Sequence, residues 1–152
     1  MFKQKPFPAS IVVLVILIAI HYVGSYYSLY WYYSWFDTLV HVFSGLWIAL
    51  VLLWLASFFG QMNSLYDYKV KSFLIAFIGA IIIGVVWELL ENFSQVTYTS
   101  ANGYYLDTAG DILNDALGGI LAYLYFIKSR RCAIQVSDNL HPFYNQTGII
   151  KN

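Results

Sequence analysis

The chain has 152 residues, of which 60% are hydrophobic, 20% aromatic and 11% charged, against roughly a quarter charged in an ordinary soluble domain. A water-soluble monomer of this length cannot hide so much apolar surface, and a single cysteine, Cys132, removes a disulfide scaffold. Eight basic and eight acidic side chains cancel, which leaves no basic field for nucleic acid and points to an integral membrane protein.

Four stretches are long and apolar enough to cross a bilayer, which takes about 20 helical residues. They cover residues 9–26, 36–59, 70–93 and 108–127. Their apolar runs are continuous, unlike the alternating segments of about ten residues in a membrane barrel. The expected fold is therefore all-α, a polytopic four-helix transmembrane bundle over residues 1–128. A polar tail follows over 129–152. Lys3 and Lys5 precede the first span, Lys69 and Lys71 lead into the third, and Lys128, Arg130, Arg131 and Lys151 follow the fourth. All eight bases thus fall on alternate connections, the positive-inside pattern of a cell (inner or plasma) membrane protein with both termini in the cytoplasm. A cleaved signal peptide is a rival reading of the first 25 residues, which have a basic start and small residues at Gly24-Ser25. Their apolar run is longer than a usual signal core, which favours a retained span.

Between the first two spans lies Tyr26-Tyr27-Ser28-Leu29-Tyr30-Trp31-Tyr32-Tyr33-Ser34-Trp35. Tyr and Trp rings settle at the membrane–water boundary, so an interfacial belt or a short helix in the membrane plane is expected. A stacking platform for a sugar or quinone is the second reading. The Asn145-Gln146-Thr147 sequon lies on the cytoplasmic side and carries no weight.

The acids are distributed oppositely to the bases. Asp67 and Asp138 are cytoplasmic in this topology, whereas Asp37, Glu88, Glu91, Asp107, Asp111 and Asp115 lie in the outer ends of spans two, three and four. Positions three or four apart share a helix face. One stripe reads Asp37, His41, Ser44/Gly45, Ala49; another reads Ala76, Ala80, Gly84, Glu88, Glu91/Asn92. The last reads Asp107, Asp111, Asn114/Asp115, Gly118/Gly119, Ala122. Each is polar at the outer end and small at the inner end. Small residues let helices approach closely in lipid, so Gly45, Gly84, Gly118 and Gly119 are expected to pack the faces together beneath an outward-opening polar pocket.

Asp37 and Asp107 open helices, where capping and the helix dipole alone account for an aspartate. Glu88 and Glu91 lie near a helix C-terminus, where the dipole disfavours them, and a charge at mid-bilayer costs about 2.5–3.5 kcal/mol. Such groups are relieved by protonation, by a histidinium or by a bound cation. His21 and His41 cannot neutralise five or six acids, which favours a divalent cation over a protonated hydrogen-bonded network or carboxylates that reach water. The expected ligands are His41, Glu88, Glu91, Asp111 and Asp115, with Asp37, Asn92 and Asn114 orienting or completing the shell. Oxygen donors with one imidazole suit Mg, Mn, Fe or Zn. A di-iron oxidase lacks its Glu-x-x-His here. His21, alone near a helix end, reads as hydrogen-bonded filler.

The strings Asp37-Thr-Leu-Val-His41-Val-Phe-Ser-Gly45, Trp87-Glu88-Leu-Leu-Glu91 and Asp107-Thr-Ala-Gly-Asp111-Ile-Leu-Asn-Asp115-Ala-Leu-Gly118 resemble the small bacterial and archaeal inner-membrane proteins typified by YjdF. More distantly they are similar to the VanZ-like superfamily, which is associated with envelope phenotypes such as glycopeptide tolerance. The likeness covers about residues 36–125. It implies Asp37, His41, Glu88, Glu91, Asp111 and Asp115 as site residues and supplies no reaction. The arginine that the VanZ-like pattern tends to place before the fourth-helix acid is absent from Thr108-Ala109-Gly110, so anionic-substrate binding does not carry over.

The favoured function is a metal-dependent enzyme at the outer face, acting on a lipid-linked or amphiphilic substrate that enters sideways from the bilayer, with Glu88 or Glu91 as general base. The alternatives are a small oligomeric transporter or proton relay, and an accessory subunit of a larger membrane complex.

Overall fold

The structure, a computed structural model, describes residues 6–59, 65–94 and 103–146, of which 65–67, 104 and 131–146 as backbone only. Its elements are α1 (Pro6–Tyr26), α2 (Leu29–Tyr32), α3 (Ser34–Phe58), α4 (Leu65–Ser94) and α5 (Tyr104–Gln146). Lys3, Lys5, Lys151 and most of the connection between α4 and α5 lie outside the described residues. The side chains of Arg131, Cys132 and Asp138 do so as well.

Helix α1 starts on Pro6, a position where the missing N–H is not needed. It ends in a reversal through Ser28, whose φ of 56° is left-handed. One turn of helix, α2, then carries part of the aromatic segment, the short-helix form expected for it. Tyr33, extended at φ −137°, precedes α3 without a side-chain cap.

Three helices are long and apolar enough to cross a membrane, over Pro6–Tyr26, Ser34–Phe58 and Tyr68–Ser94. Helix α5 is less apolar on average because Asp111, Asn114 and Asp115 lie within it and because it runs on through the polar residues from Lys128. It is also longer than expected. The backbone stays helical past Lys128 to Gln146, so the polar segment expected as a separate tail continues the same helix. No Gly or Pro interrupts residues 120–141, and a helix already formed is extended at little cost.

Helix α3 is the centre of the bundle. It packs most extensively on α5 and also on α1 and α4, while α4 packs on α5. At the end where α3 closes and α4 opens, Ala49, Leu50, Leu53, Tyr68, Ala76, Ala122 and Phe126 form an apolar core. The Arg130 guanidinium lies 5.0 Å over the Tyr68 ring and 5.6 Å over Phe126. The opposite half of the bundle holds Asp37, Glu88, Glu91, Asp107, Asp111 and Asp115.

Candidate functional site

Helical spacing brings each acidic stripe to the junction of α3, α4 and α5. His41, 4% exposed, is its centre. Its Nε2 lies 3.9 Å from Asp37 Oδ1, 3.9 Å from Glu88 Oε1 and 3.9 Å from Asp111 Oδ1. On the other side of the ring, Nδ1–H donates to Asp115 Oδ2 at 3.1 Å. Glu88, Asp111 and Asp115 are buried, and Asp37 is 37% exposed at its side chain, which connects the cluster to the surface.

Glycines make this approach possible. A Cβ on Gly45 or Gly118 would run into the backbone of the facing helix, at Asp115 and Val42 respectively, and one on Gly84 would meet the Asp115 carboxylate. One on Gly119 would stand 2.7 Å from the Ala76 carbonyl. The four glycines picked out by their spacing thus lie where α3, α4 and α5 touch backbone to backbone or backbone to carboxylate. This is close packing of the kind small residues allow in lipid.

The cluster sets four carboxylates against one imidazole. Lys71 and Lys128 stand roughly 25 Å from Glu88 and Asp111 along their own helices. Ligand atoms of Asp37, His41 and Asp111 lie within 4.8 Å of one another, a grouping able to hold a metal ion. Two donors bound to one cation at about 2.0–2.4 Å each can stand no more than roughly 4–5 Å apart, so a 3.9 Å spacing leaves room for an ion and not for a direct bond. Glu88 Oε1 is fully buried with no hydrogen-bond partner, although an unbonded buried polar atom is costly. The Thr108 hydroxyl faces Glu88, yet its Oγ1 is also buried and unpartnered.

The remaining expected residues are placed differently. Glu91 accepts a 2.8 Å hydrogen bond from Trp87 Nε1, one helical turn earlier. Neither Asp37 nor Asp107 is an N-cap: each lies inside the first turn of its helix, where the dipole still favours it. Asp37 joins the cluster, while Asp107 and Asn92 are exposed and Asn114 is half-buried. His21 Nδ1 lies 2.8 Å from the Tyr30 hydroxyl. Burial pushes the Tyr30 phenol up to about 12, with the charges of Asp37 and Glu91 adding to the effect. Two members of this neighbourhood, Thr108 and Tyr30, were not singled out by sequence. Thr108 had a signal, since it sits three residues before Asp111 on the same face; Tyr30 had none beyond its aromatic neighbours.

The motif strings that point to YjdF-like and VanZ-like proteins are matched by a broader result, and the match names neither group. No curated protein and no solved structure matches the chain. A family profile described as "Predicted membrane protein (DUF2238)" matches residues 2–131. This range spans α1 to α4 and the part of α5 that carries the buried aspartates, and the chain belongs to that family of predicted membrane proteins.

Proposed function

We propose that the protein is a four-span membrane protein with both termini in the cytoplasm, and that its outer half holds a divalent cation used to cleave an ester or phosphoryl bond. The observation that carries this reading is the two-sided setting of His41. Nδ1 is bound to a carboxylate while Nε2 faces three carboxylate oxygens at one distance, too far to bond, and those of Asp37 and Asp111 are close enough to it and to each other to share an ion. A metal-ligating histidine characteristically donates its second ring N–H to a carboxylate, which fixes the tautomer and raises the basicity of the first nitrogen. Asp115 fits that orienting part, and Asp37, His41 and Asp111 fit the ligand set. One imidazole among oxygen donors favours Mn, Fe or Zn over Mg.

Support for α5 as the fourth span comes from its sidedness. Asp111 and Asp115 are buried, and Leu113, Leu117, Leu121 and Leu124 are exposed, so its polar atoms face the bundle and its outward face is apolar. With the bases gathered at one end, the positive-inside rule puts the cluster on the extracytoplasmic side.

A cation there polarises the scissile carbonyl or phosphoryl oxygen and makes bound water more acidic. Glu88, whose buried Oε1 stands 3.9 Å from His41 Nε2, would serve as the general base, accepting the proton of the water that adds to the carbonyl carbon or phosphorus. The alcohol leaves with a proton, so ester and water become acid and alcohol. A transmembrane relay is disfavoured by the tight glycine and alanine packing beneath Asp115.

The test is metal analysis of detergent-purified protein after loading with Mn²⁺ or Zn²⁺ and desalting. Wild type and E91Q are expected to hold about one ion per chain, and H41Q and D111N to hold almost none while eluting as monodisperse protein. Near-zero metal in wild type, or full retention by D111N, overturns the reading.

A further inference from the structure

The cluster has a second approach, from the side. A cavity of about 640 Å³ opens between α1 and α4, with α3 as its floor, and reaches His41 and Asp115. That volume falls within the roughly 300–1,000 Å³ of small-molecule pockets. Its walls exist because α1 and α4 each pack on α3 and, among the described residues, share no comparable joint. The lips of the opening are apolar and outward-facing: Ile18 and Tyr22 on α1, Ile83 and Trp87 on α4, all exposed.

We infer that this groove holds an acyl tail of a membrane glycerophospholipid, with the lipid's ester or phosphate linkage brought beside His41. The inference rests on the membrane-spanning, metal-centre reading above and names the substrate class of that site.

Three observations support a lipid tail as the occupant. The groove opens between α1 and α4, both long and apolar enough to cross a membrane, so on the membrane-spanning reading its mouth faces hydrocarbon rather than water. Its polarity runs in one direction: His21 and Ser25 lie towards the end where α1 closes, and Leu17, Ile48 and Ala80 lie deeper. A lipid of the adjacent leaflet has the same order, head outward and tail inward. The groove is also continuous with the cluster, since His41 and Asp115 line it while His41 Nε2 faces Asp37 and Asp111, the proposed ligands. Substrate and ion thus reach the same imidazole from different sides, the ion beside the half-exposed Asp37 and the tail through the bilayer.

Reconstitution in phosphatidylglycerol nanodiscs containing a trace of phosphatidylglycerol with a diazirine in its acyl tail tests this directly. Photolysis is expected to label residues 40–48 of α3, the most enclosed helix, in addition to the outward faces of α1, α4 and α5. Label confined to those outward faces, or labelling of α3 only by a prenyl-chain probe, overturns the inference. Groove-filling variants give a second readout by native mass spectrometry. I48W and S44F are expected to lose the lipid that wild type retains through detergent exchange, while L113W, on the outer surface, keeps it. Retention by I48W and S44F equal to wild type counts against the groove. Metal content is measured on the same samples: metal retained with α3 unlabelled removes the groove alone, whereas labelled α3 without metal removes the metal centre alone.

Discussion

At the scale of single residues, the two nitrogens of His41 divide the work among four acids that sequence spacing treats alike. Asp115 reaches Nδ1, so its removal is expected to loosen the ring without deleting a ligand. Loss of such an orienting partner typically costs 10–100-fold in metal affinity. Titration of D115N with Zn²⁺ is expected to show a weakening of that order with one site per chain preserved; an unchanged affinity would place Asp115 outside the centre. Glu88 stands 3.9 Å from Nε2 but outside the Asp37–His41–Asp111 group. E88Q is therefore expected to keep its ion, which equilibrium dialysis can check. Spacing identified Glu88, Asp111 and His41, and it could not separate Asp115 from Glu91. Both are acids on inward-tending faces, and in the structure Asp115 bonds His41 Nδ1 while Glu91 accepts from the Trp87 indole N–H. Asp37 carried the reverse ambiguity. Its place at a helix start explains it fully until α4 and α5 bring more acids to the same nitrogen.

At the scale of elements, the α3–α5 and α4–α5 contacts are made by the glycine stripes. A side chain at Gly118 meets the backbone of Val42 and Leu46, whereas nothing lies within 4 Å of a Cβ at Gly110. Overpacking costs typically 1–3 kcal/mol, and replacing a helical glycine by alanine gains up to about 1 kcal/mol where nothing obstructs it. Thermal unfolding in detergent, followed by circular dichroism, is expected to show a lowered midpoint for G118V and an unchanged or raised one for G110A. Equal midpoints would mean that α3 and α5 do not meet at Gly118. The glycines were legible from their spacing, because a period near 3.6 places them on one face below the acids. The length of α5 was not legible, since a polar sequence after a span reads equally well as tail or as helix.

At the scale of the whole molecule, the two halves of the bundle differ in kind. One end has an apolar core closed by Tyr68 and Phe126 under Arg130, and the other has the acids. A cation over aromatic rings suits a membrane boundary. Fusions of a fluorescent protein that matures only in the cytoplasm, and of a phosphatase active only outside it, are expected to separate two sites. One after Gln146 should fluoresce, and one after Gly103 should give phosphatase activity. The opposite pattern would turn the cluster to the cytoplasm, and phosphatase activity at both sites would mean that α5 does not cross.

Composition and periodicity by themselves determined that this chain is a membrane protein, that six of its eight acids lie at the ends of the apolar stretches away from the bases, and that small residues lie beneath those acids. These properties follow from hydrophobicity and from the 3.6-residue turn, both local. Only the tertiary structure decided which acid meets which nitrogen of His41, that Glu91 pairs with Trp87 instead, and that a groove between α1 and α4 leads to the same ring. Those outcomes depend on the rotation and spacing of one helix against another. Contacts between residues distant in sequence set that geometry, and no repeat within a single helix encodes it.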